Sequence, residues 1–311
     1  MTQEVSVFHA GEKQMHEKLD VSERVQKLGQ LLIRDYMPDQ HREFFEKLVS
    51  IHLGALDSNG HPWAIMRTGS AGFITSPHNK QLRIVSKPLS GEPEDLMLEQ
   101  GAKVSVVGIE FETRRRNRAN VTISSSDADT LTLHVDQSYG NCPKYIQVRN
   151  GSKVEVVPSQ SIQVDNKLGT VAQKQIESAD TLLIASRAPN LNDDPRAGVD
   201  INHRGGMPGF VTVLDQSTIQ FPDYKGNNFY NTFGNILTDN RVGLQFVDFE
   251  TGTLLNLKGT AEIIEDLNDG ALPLMGRGLR ISIASVVRAE HALPLRFEFG
   301  EFSDLNPEIS K

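Results

Sequence analysis

Arg67-Thr68-Gly69-Ser70-Ala71-Gly72-Phe73 is followed, 137 residues further along the chain, by Arg204-Gly205-Gly206-Met207-Pro208-Gly209-Phe210. Both stretches are R-x-G-x-x-G-F. A second pair keeps almost the same spacing. Phe111-Glu112-Thr113 returns 138 residues later as Phe249-Glu250-Thr251, and the runs leading into them, VSVVGIEFET and VGLQFVDFET, match in character. Two matches at nearly one offset mark a tandem duplication, two copies of one unit in a single chain.

Each copy reads as strand. Alternating or short β-branched runs cover 51–56, 63–67, 82–86, 103–111, 118–123 and 130–135. The second copy repeats them at 181–186, 199–203, 211–214, 218–221, 241–249, 253–263 and 279–288. Turn signals at Ser58-Asn59-Gly60, Asn192-Asp193-Asp194-Pro195 and Gly226-Asn227-Asn228 separate the runs. Strands this short and regular predict a sheet closed into a barrel. Helices are few. One is expected over 20–34, with Asp20 and Glu23 in capping-box spacing, and one from Pro38 through Phe44, Phe45 and Leu48. Two more are expected over 169–178 and 229–239. The expected fold class is mainly β with a few helices. Its parts are an N-terminal helical extension (1–40), a first barrel repeat with its linker (41–168) and a second repeat (169–311).

The 311 residues are 38% hydrophobic and 23% charged, enough apolar material for sizeable cores and unlike a mainly disordered chain. No run approaches the roughly 18 to 20 apolar residues of a membrane helix. The start, MTQEVSVFHAGEKQ, has no apolar stretch of a secretory signal, so the cytoplasm is the expected compartment. Cys142 is the single cysteine, which excludes an intrachain disulfide and a cysteine-rich metal site. His134 and His291 lie in apolar runs without metal-ligand spacing, and no metal is expected. The net charge of −8 disfavours nucleic acid, for which the only basic stripe is Arg114 to Arg118.

The order of motifs in the second copy is distinctive. His203-Arg204-Gly205-Gly206-Met207-Pro208-Gly209-Phe210 is followed by Phe221-Pro222-Asp223-Tyr224-Lys225-Gly226-Asn227, by Asn231-Thr232-Phe233-Gly234-Asn235 and by Arg241-Val242-Gly243-Leu244. The first copy carries Glu110 to Arg118 and Asn141-Cys142-Pro143-Lys144-Tyr145. Over roughly residues 40 to 300 this order resembles the pyridoxamine 5′-phosphate oxidase-related, FMN-binding split-barrel family, in particular its long, duplicated, flavin-nucleotide-binding members. The resemblance implies two tandem antiparallel FMN-binding split β-barrels. In that family two chains pair with FMN in the cleft between barrels, and here the copies would pair within one chain. The oxidase's C-terminal arginine–histidine pair has no counterpart in LPLRFEFGEFSDLNP, so the namesake reaction is not implied.

The residue chemistry fits a flavin phosphate. Arg204 offers a planar fork of donors, and Gly205 and Gly206 would let backbone N–H groups approach the dianion. A β-bulge or tight bend that needs glycine accounts for the same pattern. Pro222, Asp223, Tyr224 and Asn227 leave a strand, and Asn231 and Thr232 open a helix whose N-terminus suits phosphate. A capped helix with a polar loop is the plain alternative. The equivalent Ser86-Lys87-Pro88-Leu89-Ser90-Gly91 lacks the Asn-rich segment and is the weaker phosphate loop.

Arg116 and Arg118 would share one strand face with Arg114, and the resemblance implies that this strand reaches FMN bound to the other barrel. Gatekeeper charges on a solvated edge strand are the alternative. The second copy has Leu254 and Leu255 instead, so one flavin site per chain is expected. His203 should point away from Arg204, as an acid/base group or a structural hydrogen-bonder. No catalytic residue is identified. The functional expectation is an FMN-dependent oxidoreductase acting on a small molecule, with a homodimer of the fused pair as a further expectation. The alternative is a non-catalytic flavin or haem binding or storage protein.

Overall fold

The computed structural model describes residues 6–155, 161–188, 196–267 and 276–307. The chain opens with α1 (Ala10–Lys18), α2 (Ser22–Leu32) and α3 (Asp39–Lys47). Seven strands follow: β1 (Ser50–Leu56), β2 (Pro62–Thr68), β3 (Ile74–Thr75), β4 (Gln81–Val85), β5 (Lys103–Glu110), β6 (Arg115–Ser126) and β7 (Thr130–Asn141). Two short strands, β8 (Arg149–Lys153) and β9 (Ile162–Asp165), and α4 (Thr170–Ser178) connect the halves. The second half has β10 (Thr181–Arg187), β11 (Val199–Gly205), β12 (Thr212–Asp215) and β13 (Thr218–Pro222). After α5 (Asn231–Thr238) come β14 (Arg241–Val247), β15 (Leu254–Ile264), β16 (Gly278–Ala289) and β17 (Leu295–Phe299).

The sheets establish the duplication. The first runs β2-β1-β5-β6-β7-β4-β3 and the second β11-β10-β14-β15-β16-β13-β12, the same order strand for strand, with antiparallel pairs throughout. Alternation fixes what each face does. Ile51, Leu53, Trp63, Ile65, Val104, Val106, Ala119 and Val121 turn into the first barrel's core, closed on one side by Phe44 and Phe45 of α3. Leu182, Ile184, Val242, Leu244, Leu255 and Leu257 do the same in the second barrel, against Ala172 and Ile176 of α4.

The opposite faces of β1, β2 and β5 bury against β10, β11 and β14 through Met66, Val107, Ile109, Leu183, Ala185 and Ile201. The repeated F-E-T phenylalanines meet at this seam. Phe111 and Phe249 lie edge to face at 5.4 Å, and Phe297 of β17 packs on both at 5.5 and 5.3 Å. Such pairs contribute about 0.5 to 1.5 kcal/mol each beyond burial. The strand pairing of β8 with β17 adds a backbone clasp across the halves.

Some local expectations are corrected. Asp20 does not cap α2: it sits at φ 53 between α1 and α2, and the N-cap is Val21 without a side-chain bond. The capping box belongs to α1, where His9 accepts from Gly11 N and Glu12 accepts from His9 N. Strand β6 is central, between β5 and β7, not an edge strand. The loop at 86–102 in the first half replaces the helix α5 of the second. The turn at Asn192-Asp193-Asp194-Pro195 lies outside the described residues.

The described part of the N-terminal arm, residues 6–19, packs on the second half. Helix α1 crosses α5 so closely that a Cβ on Gly11 would meet Gly234 O at 2.1 Å. The crossing buries Glu12, which accepts from Asn231 Nδ2 and from His9 N. Burial and the neighbouring Asp200 push the Glu12 carboxyl up from its ordinary 4.5 to about 8. Between those values the unfolded chain has lost a proton that the folded chain keeps, so this group makes stability fall as pH rises through that window. Glu12→Gln is therefore expected to lose less stability than the parent between about pH 5 and 8, read as melting temperature against pH; parallel pH profiles for the two proteins would contradict it.

Candidate functional site

A cleft with about 920 Å³ of empty space, partly open to solvent, lies where the halves meet. Its second-half wall is the end of β11 and the segment from Pro222 to Thr232. Its first-half wall is Val107, Arg116 and the segment after β7, Asn141 to Tyr145. The pairing that brings β6 against the second barrel thus gathers the Arg-rich strand and the Asn-rich loop into one site.

The R-x-G-x-x-G-F motif does the same backbone work in both halves. Gly69 N and Gly206 N donate to Val49 O and Asp180 O at 3.1 and 3.0 Å. Phe73 N and Phe210 N close turns onto Ser70 O and Met207 O, with Gly72 and Gly209 at φ 86 and 92, a conformation that favours glycine. A Cβ on Gly206 would strike Phe210 at 2.7 Å and one on Gly205 would strike Tyr145 O at 2.0 Å. Gly205 lines the cleft, whereas Gly206 is packed on Phe210 with its N–H already used. The tight-bend reading therefore accounts for Gly206, and its N–H is not presented to a ligand.

The arginines of the motif differ between halves. Arg67 is buried in a bidentate ion pair with Glu92, 2.5 Å on one arm. Gly91 beside it is tucked against the second half, where a Cβ would meet Ala289 Cβ at 2.8 Å. The space left beside Arg67, about 690 Å³ and partly open to solvent, is lined by this loop and by Ser126 to Leu131 and by no residue of the second half. Arg204 is about a quarter exposed and lines the open cleft. Its nearest carboxylate oxygen, on Asp223, is 3.9 Å away, and among the described residues it donates no hydrogen bond. Asp223 is held instead by Arg277 at 2.6 Å. Burial, then Arg277 and Arg118, lower the Arg204 guanidinium from its ordinary value, with Asp223 opposing them.

Helix α5 presents its N-terminus here. Tyr230, its N-cap, is left-handed at φ 58 and gives no side-chain cap, and among the described residues the N–H groups of Asn231, Thr232 and Phe233 have no partner. The side chains of Asn231 and Thr232 are committed behind the helix. Asn231 Nδ2 donates to Glu12, and Thr232 Oγ1 accepts from Asn202 at 2.9 Å. Pro222 and Asn227 line the cleft, and Asn227 Nδ2 reaches Asn141 Oδ1 at 3.3 Å across it. Tyr224 packs at 5.2 Å against Tyr145 with the rings tilted by 44°, and its buried hydroxyl has no partner. Burial pushes that phenol up to about 12.

The arginine stripe separates into different tasks. Arg114 sits at φ 57 in the turn and ties Ile146 O and Glu301. Arg115 lies over Phe44 at 5.3 Å. Arg118 is fully buried, paired with Asp200 and bonded to Asn202 Oδ1 at 2.9 Å. It does not line the cleft: Asp200 on β11 satisfies it behind the wall. Arg116 does line the cleft. Its two terminal nitrogens donate to His203 Nδ1 at 3.1 Å and Cys142 O at 2.6 Å, and its buried Nε has no partner.

His203, Lys144, Tyr145 and Cys142 line the cleft although the expected binding set omits them. The alternation of β11 explains the omission of His203, since the cleft wraps around the edge strand and takes residues from both its faces. Among the described residues no group of three or more His, Cys, Asp or Glu side chains is placed to hold a metal, and no helix is long and apolar enough to cross a membrane.

No protein-family model and no curated protein sequence matches the chain. Solved structures do, one half at a time. A candidate pyridoxamine 5′-phosphate oxidase from Lactobacillus delbrueckii is 22% identical, with 39% of this chain and 94% of that one covered and a TM-score of 0.30. A Clostridium acetobutylicum protein of the pyridoxinephosphate oxidase family, related to general stress protein 26, is 16% identical over 42% and 92% of the two chains, TM-score 0.30. The FAD-binding protein of Mycobacterium smegmatis is 16% identical over 40% and 99%, TM-score 0.28. The chain is similar, over about 40% of its length in each case, to structures of the pyridoxine phosphate oxidase family and to flavin-binding proteins of that barrel type.

Proposed function

We propose that the protein is a flavoprotein that binds one FMN per chain, non-covalently, in the cleft between its barrels, and that it is an oxidoreductase acting on a small molecule. The observation that carries this reading is the contrast between the motif arginines. Arg67 has its anion built in as Glu92, whereas Arg204 faces an open cleft with only Asp223, 3.9 Å away and held by Arg277. A phosphate dianion supplies what Arg204 and the unpartnered N–H groups of Asn231, Thr232 and Phe233 lack. Arg116 Nε and the Tyr224 hydroxyl, both buried without partners, call for further acceptors and donors on the same ligand.

Arg116, Lys144 and Arg204 outnumber Asp223 among the charged cleft residues, so a chain of net charge −8 concentrates positive charge at this point. That balance suits an anionic cofactor. The flavin ring, once bound, supplies hydride and electron transfer, and the protein's part is to hold and orient it. Arg204 and the α5 N-terminus would hold the phosphate. Arg116, fixed by His203 and Cys142 O, would direct Nε–H toward the ring end. Tyr145 and Tyr224 would exclude water from one side. The cytoplasm, and a homodimer of the fused pair, complete the proposal.

Two results are expected. Arg204→Ala weakens FMN binding by about 1.5 to 3 kcal/mol in a fluorescence titration, the range of a charge-assisted hydrogen bond; an unchanged dissociation constant would show that Arg204 does not meet the phosphate. Extraction of the purified, flavin-saturated protein yields one FMN per chain, with absorption near 450 nm, because Arg67 in the first half is already paired with Glu92. Two flavins per chain, or a haem spectrum, would contradict this assignment.

A further inference from the structure

Two histidines sit where the barrels touch, and neither is accounted for by the cleft alone. In the first sheet Met66, His52, Val107 and Arg118 stand in one cross-strand row. Their counterparts in the second sheet are His203, Leu183, Gln245 and Asn256, also one row. The rows face each other across the seam, and His52 Nδ1 lies 3.4 Å from Gln245 Oε1. His52 and His203 are buried at 1% and 5% exposure, and each has an Nε2 without a partner.

Their tautomers follow from their neighbours. A guanidinium only donates, so Arg116 obliges His203 Nδ1 to accept. A neutral His203 therefore carries its proton on Nε2, as a buried donor without an acceptor. Gln245 donates from Nε2 to Asn256 Oδ1 at 3.0 Å, which leaves its Oε1 as the acceptor facing His52. His52 Nδ1 must then donate, and its Nε2 is a buried acceptor without a donor. Burial first, and then Arg116 and His52, keep the His203 imidazole neutral, and burial holds His52 down to about 4. The orphan donor and the orphan acceptor lie in one buried seam, on strands packed face to face: a Cβ on Gly54 of β1, two residues from His52, would meet Ile201 Cβ of β11, two residues from His203, at 3.2 Å. An unmet buried polar group costs about 1 to 3 kcal/mol, so two complementary ones favour a joint solution.

We propose that His203 Nε2–H donates to His52 Nε2 across one enclosed water, making a continuous chain from Arg116 through His203, His52 and Gln245 to Asn256. In this chain His203 is a positioning residue. It fixes the Arg116 guanidinium at the cleft wall, and His52, on the far side of the seam, fixes His203. The consequence for ligand affinity rests on the flavin reading; the tautomers do not.

The test is nitrogen-15 NMR of the histidine side chains in the ligand-free protein, with two variants. His203 is expected to be neutral with its proton on Nε2, and His52 neutral with its proton on Nδ1. His52→Leu, which places in this row the residue its counterpart Leu183 already is, should shift the His203 nitrogen resonances and weaken FMN binding roughly 5- to 10-fold. His52→Gln, which keeps an acceptor at the same reach, should restore both. A His203 proton on Nδ1, or His203 resonances unmoved by His52→Leu, would overturn the relay. Normal resonance shifts in a protein that binds no FMN would instead count against the flavin reading and leave the relay standing.

Discussion

The buried pair of Arg118 and Asp200 governs the rest of the site. Arg118 stands on the first barrel and Asp200 on the edge strand of the second, and neither reaches water. Breaking one side of such a pair costs about 3 to 5 kcal/mol, because the remaining charge is stranded. Asp200 also accepts from Asn120 at 3.1 Å and from Asn235 at 2.7 Å, and Asn235 Oδ1 meets His9 Nε2 at 2.9 Å. One carboxylate therefore ties together both barrels, the helix α5 and the N-terminal arm. The register of the seam is set by polar networks set among its apolar contacts, and the cleft is the gap this register leaves.

That arrangement explains why two copies of one fold are not equivalent. The backbone devices of the motif, Gly69 with Phe73 and Gly206 with Phe210, are duplicated because every copy needs the same strand exit. The cleft-facing devices are not. The first copy covers its own arginine with Glu92 and packs its loop on Ala289, while the second keeps a helix N-terminus and an uncovered arginine. On the opposite wall the first copy contributes Arg116, where the second has Leu254 buried in the seam. Each half has thus kept one wall of a single site.

Much of this was legible in the sequence, for physical reasons that can be named. Strand positions follow from alternation, and the duplication from motif spacing, so the sheets lie close to where the sequence puts them. The gathering of Arg204, Pro222, Asp223 and Tyr224 with Arg116 is expected from the family resemblance, which implies that this strand reaches the site on the other barrel. Partners at long range were not legible. Nothing local distinguishes Arg116, which reaches the cleft, from Arg118, which Asp200 neutralises 82 residues away. Gly11 and Glu12 give no amphipathic signal, since α1 is held by a close glycine crossing and a buried carboxyl rather than by an apolar stripe. The Asn231 and Thr232 side chains look like phosphate ligands in sequence, yet the network behind α5 uses them and leaves the backbone N–H groups to the cleft.

The central claim is that one flavin nucleotide lies between the barrels with its phosphate at Arg204. A crystal structure of the protein grown with FMN tests it most directly. The account predicts one FMN per chain, its phosphate against the Arg204 guanidinium and the first N–H groups of α5, and its ring end toward Arg116. FMN seated at Arg67, or in neither cleft, would contradict it.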